Sequence, residues 1–333
     1  MIKRLEEINA RRRRNAQVLA FVASYLNNCP TLVTKEIIDE ITNGNGDNAQ
    51  RAFASFLANV FSESGEVARE FEREYFSPGV KKLDLREYYE NPYFKNIKIP
   101  QIKENGWDLG YQSYEPYEGF IYRDIVCAPN YKEVPQIGFF DEKFTFPTVF
   151  ENGREWMAIK PNEIETMRSP VEKAQGRVLV YGLGIGYFAY MVSQKSDVVS
   201  VTVVERDQSV ISLFEKHILP QFPNKDKITV VKSDAFDYAQ NEMKKGGYDY
   251  VFTDLWHDVS DGVDLYIKMK KYETLCPNSR YEYWIEGSIL SSIRWSIFDG
   301  MLSKAEKGAF QATPQEVEQY LTDSYLKQFV KFL

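Results

Sequence analysis

The sequence predicts an α/β protein: a doubly wound parallel sheet preceded by a helical N-terminal domain and a small β-rich segment. Three observations carry this reading. From about residue 171, β-branched runs alternate with amphipathic segments, the pattern of parallel strands joined by crossover helices. Before residue 90, apolar residues recur at helical spacing, and between 91 and 170 Pro, Gly and aromatic residues interrupt short alternating runs. The 333 residues are therefore read as units 1–90, 91–170 and 171–333.

Composition bounds the partners. With 44% hydrophobic and 15% aromatic residues the chain can bury a sizeable core. Its 48 acidic residues against 41 basic ones give a net charge of -7, which argues against a surface built to grip nucleic-acid phosphates. Small molecules or proteins are the expected partners. Cys29, Cys127 and Cys276 are odd in number and in no CxxC spacing, which fits a reducing, cytoplasmic compartment and offers no zinc site. The two histidines, His217 and His257, exclude a site built from several imidazoles. No stretch approaches the ~20 apolar residues of a membrane span.

Taken in order, "MIKRLEEINARRRRNAQVLAFVASYL" reads as an amphipathic helix, with Val18, Val22 and Tyr25 facing a core and Arg11 to Arg14 solvated. Glu6 and Glu7 among its charges, and the absence of a small-x-small cleavage site, argue against a secretion signal. "TKEIIDEIT" starts behind Thr34 as a cap, and "DNAQRAFASFLANVF" puts Phe53, Phe56, Leu57, Val60 and Phe61 on one stripe. "NGNGDN" between them is a turn cluster. In the middle segment Asn152-Gly153 within "TVFENGREWMAI" marks a two-residue hairpin. Tyr111, Tyr114, Tyr117 and Tyr122 either roof a pocket or pack a β surface, and the segment buries its aromatics within the chain or in a homodimer.

The third unit offers the strands "RVLVY", "VVSVTVVE", "ITVVKSD", "YDYVFTD" and "RYEYWIE" and closes in helices. After the first strand, "YGLGIGY" places Gly182, Gly184 and Gly186 where strand turns into helix, so that a ligand can lie against bare backbone near the positive end of the helix. A dinucleotide fingerprint needs glycine at 187, where Tyr187 stands, so the remaining GxGxG suits a nucleoside ligand without a pyrophosphate. Glu205 ends the second strand, 19 residues after Gly186, where a carboxylate can accept both ribose hydroxyls. Asp234, with Ala235 in "SDAF", follows the third strand and can take an adenine amine. Asp254, Trp256, His257 and Asp258 follow the fourth, at the mouth of the crevice where ligands of such sheets react.

Over about residues 148 to 295 these motifs resemble the class I S-adenosylmethionine-dependent transferases, in their spermidine synthase-like branch: "VLVYGLGIG" as the glycine loop, "VVERDQSV" with its ribose acid, "SDAF", and "DYVFTDLWHD". The resemblance implies a Rossmann-like, class I methyltransferase fold. It also implies S-adenosylmethionine, or its decarboxylated form, bound by Gly182, Gly184, Gly186, Glu205, Asp234 and Ala235. Two departures bear on chemistry. Spermidine synthases carry an aspartate inside the glycine loop, where Ile185 stands, and a second three residues after the acid matched by Asp254, where His257 stands.

The leading expectation is therefore methyl transfer to a small-molecule or protein acceptor, with Asp254, His257 and Asp258 as candidate bases. Aminopropyl transfer from the decarboxylated donor is the alternative, and a non-catalytic interaction module is the third. A Mg²⁺ reading of Asp254, His257, Asp258 and Asp261 has no ligand spacing behind it, and no metal is expected.

Overall fold

All five β-branched runs become strands of one sheet. In the computed structural model, which describes residues 2–44, 48–104 and 106–332, these are β1 (Gly176–Tyr181), β2 (Val198–Glu205), β3 (Ile228–Lys232), β4 (Tyr250–Thr253) and β5 (Arg280–Tyr283). They pair in the order β3-β2-β1-β4-β5, every pair parallel. Central β1 is covered on both faces, so Val178, Leu179, Val180 and Tyr181 are all apolar or aromatic and all at most 2% exposed. The chain builds outward from β1 through β2 to β3, then crosses back to lay β4 on the other side of β1. The order reverses there, which opens a crevice at the carboxyl ends of β1 and β4.

An antiparallel sheet of Ile102–Glu104, Trp107–Tyr114, Phe144–Glu151 and Arg154–Ala158 lies in the middle segment. Its last hairpin turns at Asn152 and Gly153, with φ of 49° and 83°, the left-handed pair a two-residue turn requires. Trp107, Phe146 and Val149 of this sheet belong to the same continuous core as β1, which runs from Leu83 to Val330. The helix Pro161–Lys173 joins the two sheets across the boundary read at residue 170.

The N-terminal helix Ile2–Asn28 buries Val18, Val22 and Tyr25 as expected. Its arginines are not simply solvated: Arg11 bonds Glu74 at 2.9 Å, Arg12 pairs with Asp299, and Arg14 pairs with Glu70 while lying 5.0 Å from the Phe71 ring. Thr34 accepts from the Ile37 amide at 3.4 Å to start Lys35–Thr42. The stripe on Ala49–Phe61 is rotated from its predicted face. Ala52, Ala54 and Ala58 pack with Phe53 and Leu57, allowing close approach, and this turns Val60 out to 47% exposure. The expected turn at 43–48 lies partly outside the described residues.

A buried polar network ties the two ends of the chain. Glu133 and Arg294, each 2% exposed, stand 3.7 Å apart. Glu133 also accepts from Trp295 Nε1 at 2.7 Å, and Arg294 Nε donates to the Leu321 carbonyl at 2.9 Å. From the N-terminal helix, Asn15 donates to the Tyr131 carbonyl at 2.7 Å and accepts from the Tyr75 hydroxyl and the Glu133 amide. Buried charges survive only when partnered in this way. No helix among the described residues is long and apolar enough to cross a membrane.

Candidate functional site

Each glycine of the loop answers to a different neighbour. Gly182 has φ of 97°, and a Cβ there would strike the Asp254 carbonyl, so bare backbone lets the exits of β1 and β4 converge. At Gly184, φ is 53° and a Cβ would strike Met157 Sδ, the sulfur that also lies 3.1 Å from the Ile185 amide. Gly186 faces the Phe214 ring, away from the crevice.

A cavity of about 760 Å³ opens over Gly182, Leu183 and Gly184 and extends beneath the antiparallel sheet. At one end stands Glu205, whose two oxygens accept from the Leu183 amide at 3.2 Å and the Asp207 amide at 2.9 Å. Beside it Asp234 caps the helix Ala235–Asn241, using Oδ1 alone to accept from the Phe236 and Asp237 amides. Ala235 is in the wall. Of the predicted nucleoside residues, only Gly186 does not line the cavity.

The other end holds Asp254, fixed through its amide to the Tyr181 carbonyl at 2.9 Å. Its carboxylate has no hydrogen-bond or ion-pair partner among the described residues, and neither does that of Glu163, in the first turn of Pro161–Lys173. Both line the cavity and keep some solvent contact. Burial pushes both well above the usual carboxylate range. Repulsion from Asp254 raises Glu163 further, against the pull of Lys160, whose ammonium is 2.7 Å from Glu155. Burial and mutual repulsion thus favour the protonated forms of these acids.

His257 and Asp258 lie at the rim, both exposed. They belong to the start of the helix Val259–Tyr272: Asp258 accepts from the Ser260 amide at 2.6 Å, and Asp261 accepts from the amides of Asp258 and His257. The His257 ring is 3.4 Å from Asp261. Trp256 is buried in the wall, nearly coplanar with Tyr283. Of Tyr111, Tyr114, Tyr117 and Tyr122 only Tyr114 lines the cavity, Tyr117 and Tyr122 being core and Tyr111 accepting from the Ile99 amide. Sequence reasoning missed Glu163, Met157, Arg123 and Leu19, all in the wall. Glu163 carries a weak signal, since an acid in a first helical turn usually serves the helix dipole. Among the described residues no group of three or more His, Cys, Asp or Glu side chains is close enough to hold a metal ion.

Residues 162–275 match the family model of the spermine/spermidine synthase domain. This part of the chain is similar to that domain. It holds β1 to β4 of the five-stranded parallel sheet with their crossover helices. Among solved structures, a putative O-methyltransferase from Klebsiella pneumoniae aligns at 14% identity with a TM-score of 0.25, over 33% of this chain and 47% of its own. Spermidine synthase from Thermotoga maritima aligns at 13% identity with a TM-score of 0.32, over 46% of this chain and 58% of its own. The aligned part thus spans about half the length of each. A search of curated proteins finds no match.

Proposed function

We propose that the protein transfers the methyl group of S-adenosylmethionine to a small-molecule or protein acceptor. The observation that carries this reading is the division of one cavity about the glycine loop: Glu205 and Asp234, held by main-chain amides, lie on one side, and Asp254 and Glu163, without a side-chain partner among the described residues, on the other. Glu205, preset by two main-chain amides, would hold the ribose hydroxyls, and the free oxygen of Asp234 would take the adenine amine. The donor, when bound, supplies an electrophilic carbon beside a sulfonium. Asp254 and Glu163 would receive the proton the acceptor sheds, a task suited to acids poised near neutral pH. His257 and Asp258, engaged at the rim, would border the entrance. Ile185 is 3% exposed and apolar, so the loop offers no carboxylate to an aminopropyl amine.

Aminopropyl transfer is the second reading, favoured by the family match over 162–275. Melting the protein with S-adenosylmethionine, S-adenosylhomocysteine, decarboxylated S-adenosylmethionine or methylthioadenosine separates the two. A ligand at 100 times its Kd stabilises by ~2.7 kcal/mol. A larger shift with the carboxylated pair supports methyl transfer; a larger shift with the decarboxylated donor overturns it in favour of aminopropyl transfer. No shift with any of the four leaves an interaction module.

A further inference from the structure

The amides of the glycine loop are not all given to equal partners. Gly182 donates to the Val204 carbonyl at 3.0 Å, Gly186 to the Leu183 carbonyl at 2.9 Å, and Leu183 to the Glu205 carboxylate at 3.2 Å. All three acceptors are oxygens. The Ile185 amide instead donates to Met157 Sδ at 3.1 Å, and a thioether is a weak acceptor. Exchanging that sulfur for a ligand oxygen would strengthen the bond.

Met157 is built to leave while its strand stays. It pairs with Val149 across the antiparallel sheet, the Ile159 amide donates to the Pro147 carbonyl at 2.9 Å, and the Trp156 ring stands edge-on to Trp107 with centroids 5.1 Å apart. The backbone is thus held on both sides of a side chain that is half-buried and unbranched. Its sulfur and methyl lie against Gly184, where a Cβ would overlap both. Met157 and Gly184 line the large cavity, whereas Ile185 lines a small apolar one behind the loop. The thioether therefore stands between the large cavity and the Ile185 amide.

We propose that Met157 is a displaceable stopper on the glycine loop that selects for a tailed ligand: it swings aside when the amino-acid tail of S-adenosylmethionine offers a carboxylate oxygen to the Ile185 amide. This rests on the transfer reading above and names the residue that reads the donor's tail. A nucleoside without that tail has no oxygen to exchange for the sulfur and leaves Met157 in place. The decarboxylated donor, with an ammonium there, cannot accept from an amide. The Ile185 side chain is 3% exposed and takes no part; only its main chain does.

The test uses the full chain, titrated calorimetrically with S-adenosylhomocysteine and with methylthioadenosine, which share the thioadenosine part and differ in the tail. Met157→Ala removes the stopper and should bind S-adenosylhomocysteine about tenfold tighter, about 1.4 kcal/mol. Met157→Gln offers the Ile185 amide a carbonyl oxygen at similar reach and should bind it about tenfold weaker. Methylthioadenosine should change by less than about twofold in both variants. A residue that only packs the loop would move both variants in one direction, or both ligands together. Either outcome, or unchanged affinity for S-adenosylhomocysteine in both variants, would overturn the proposal. The melting shift of the wild type with S-adenosylhomocysteine reports on the transfer reading separately. With that shift present, failure of the variants to diverge removes the role of Met157 only; no binding in the wild type and in Met157→Ala alike removes both.

Discussion

The two ends of the cavity both use a pair of carboxylates, and they treat them in opposite ways. Glu205 and Asp234 are fixed by main-chain amides, those of Leu183 in the glycine loop and Asp207 for Glu205 and those of its own helix start for Asp234, so their orientation is set before any ligand arrives. Glu163 and Asp254 are recessed with no such bonds and repel each other. Satisfied acids of the first kind are suited to recognition, because preset acceptors cost little to align. Unsatisfied acids of the second kind are suited to proton exchange, because either protonation state is within reach near neutral pH.

The sharpest break of this comparison is Asp254→Asn. It should lower kcat by about 10²–10³-fold while the melting shift with S-adenosylhomocysteine persists; loss of that shift instead would move Asp254 to the nucleoside end. Next, Glu205→Ala should weaken S-adenosylhomocysteine about 100-fold by calorimetry, consistent with charge-assisted bonds of about 1.5–3 kcal/mol, with the circular dichroism spectrum unchanged. Full affinity in that variant would erase the distinction between the ends.

A smaller effect tests the strain. Because burial raises the pKa of Glu163 in the folded state, the folded protein keeps a proton that the unfolded chain has released, so stability falls as pH rises from the ordinary carboxylate range towards neutral and above. Glu163→Gln removes that fall. Its Tm should coincide with the wild type near pH 4 and exceed it at pH 8 by about 2–4 °C for each kcal/mol relieved. Coincident curves throughout would mean that Glu163 is an ordinary solvated acid. Smallest of all, His257→Ala should change kcat by less than about twofold, the ring being exposed and beside Asp261; a large loss would return the base to the rim.

The convergence of Gly182, Gly184, Glu205 and Asp234 on one cavity was legible in the sequence because it is local. Gly182, Gly184, Glu205 and Asp234 each sit at or just past the tip of a strand, and consecutive strands of a parallel sheet deliver their tips to one edge. The strands themselves were readable for the same reason, as were the hairpin at Asn152-Gly153 and the cap at Thr34. The rest of the wall is not local. Leu19, Arg123, Met157 and Glu163 reach the cavity from three different parts of the chain, and nothing in their immediate neighbours distinguishes them from surface or core residues. Asp258 lines the cavity and also starts a helix, and an acid after a strand has the same local signature in either place. The arginines at 11 to 14 read as a solvated run because their partners, Glu70, Glu74 and Asp299, lie far along the chain.

The network through Asn15, Glu133 and Arg294 has a consequence for inheritance. Leu19 borders the cavity one helical turn beyond Asn15, so the wall next to the acceptor is contributed by a helix that the opposite terminus holds in place. A shuffled copy of residues 162–275 would carry the nucleoside end to a new host, along with Glu163 and Asp254, and would leave Leu19, Tyr114 and Arg123 behind. On the proposed reading, donor binding would be portable between lineages, whereas the choice of acceptor would have to be reinvented each time the domain acquired a new front.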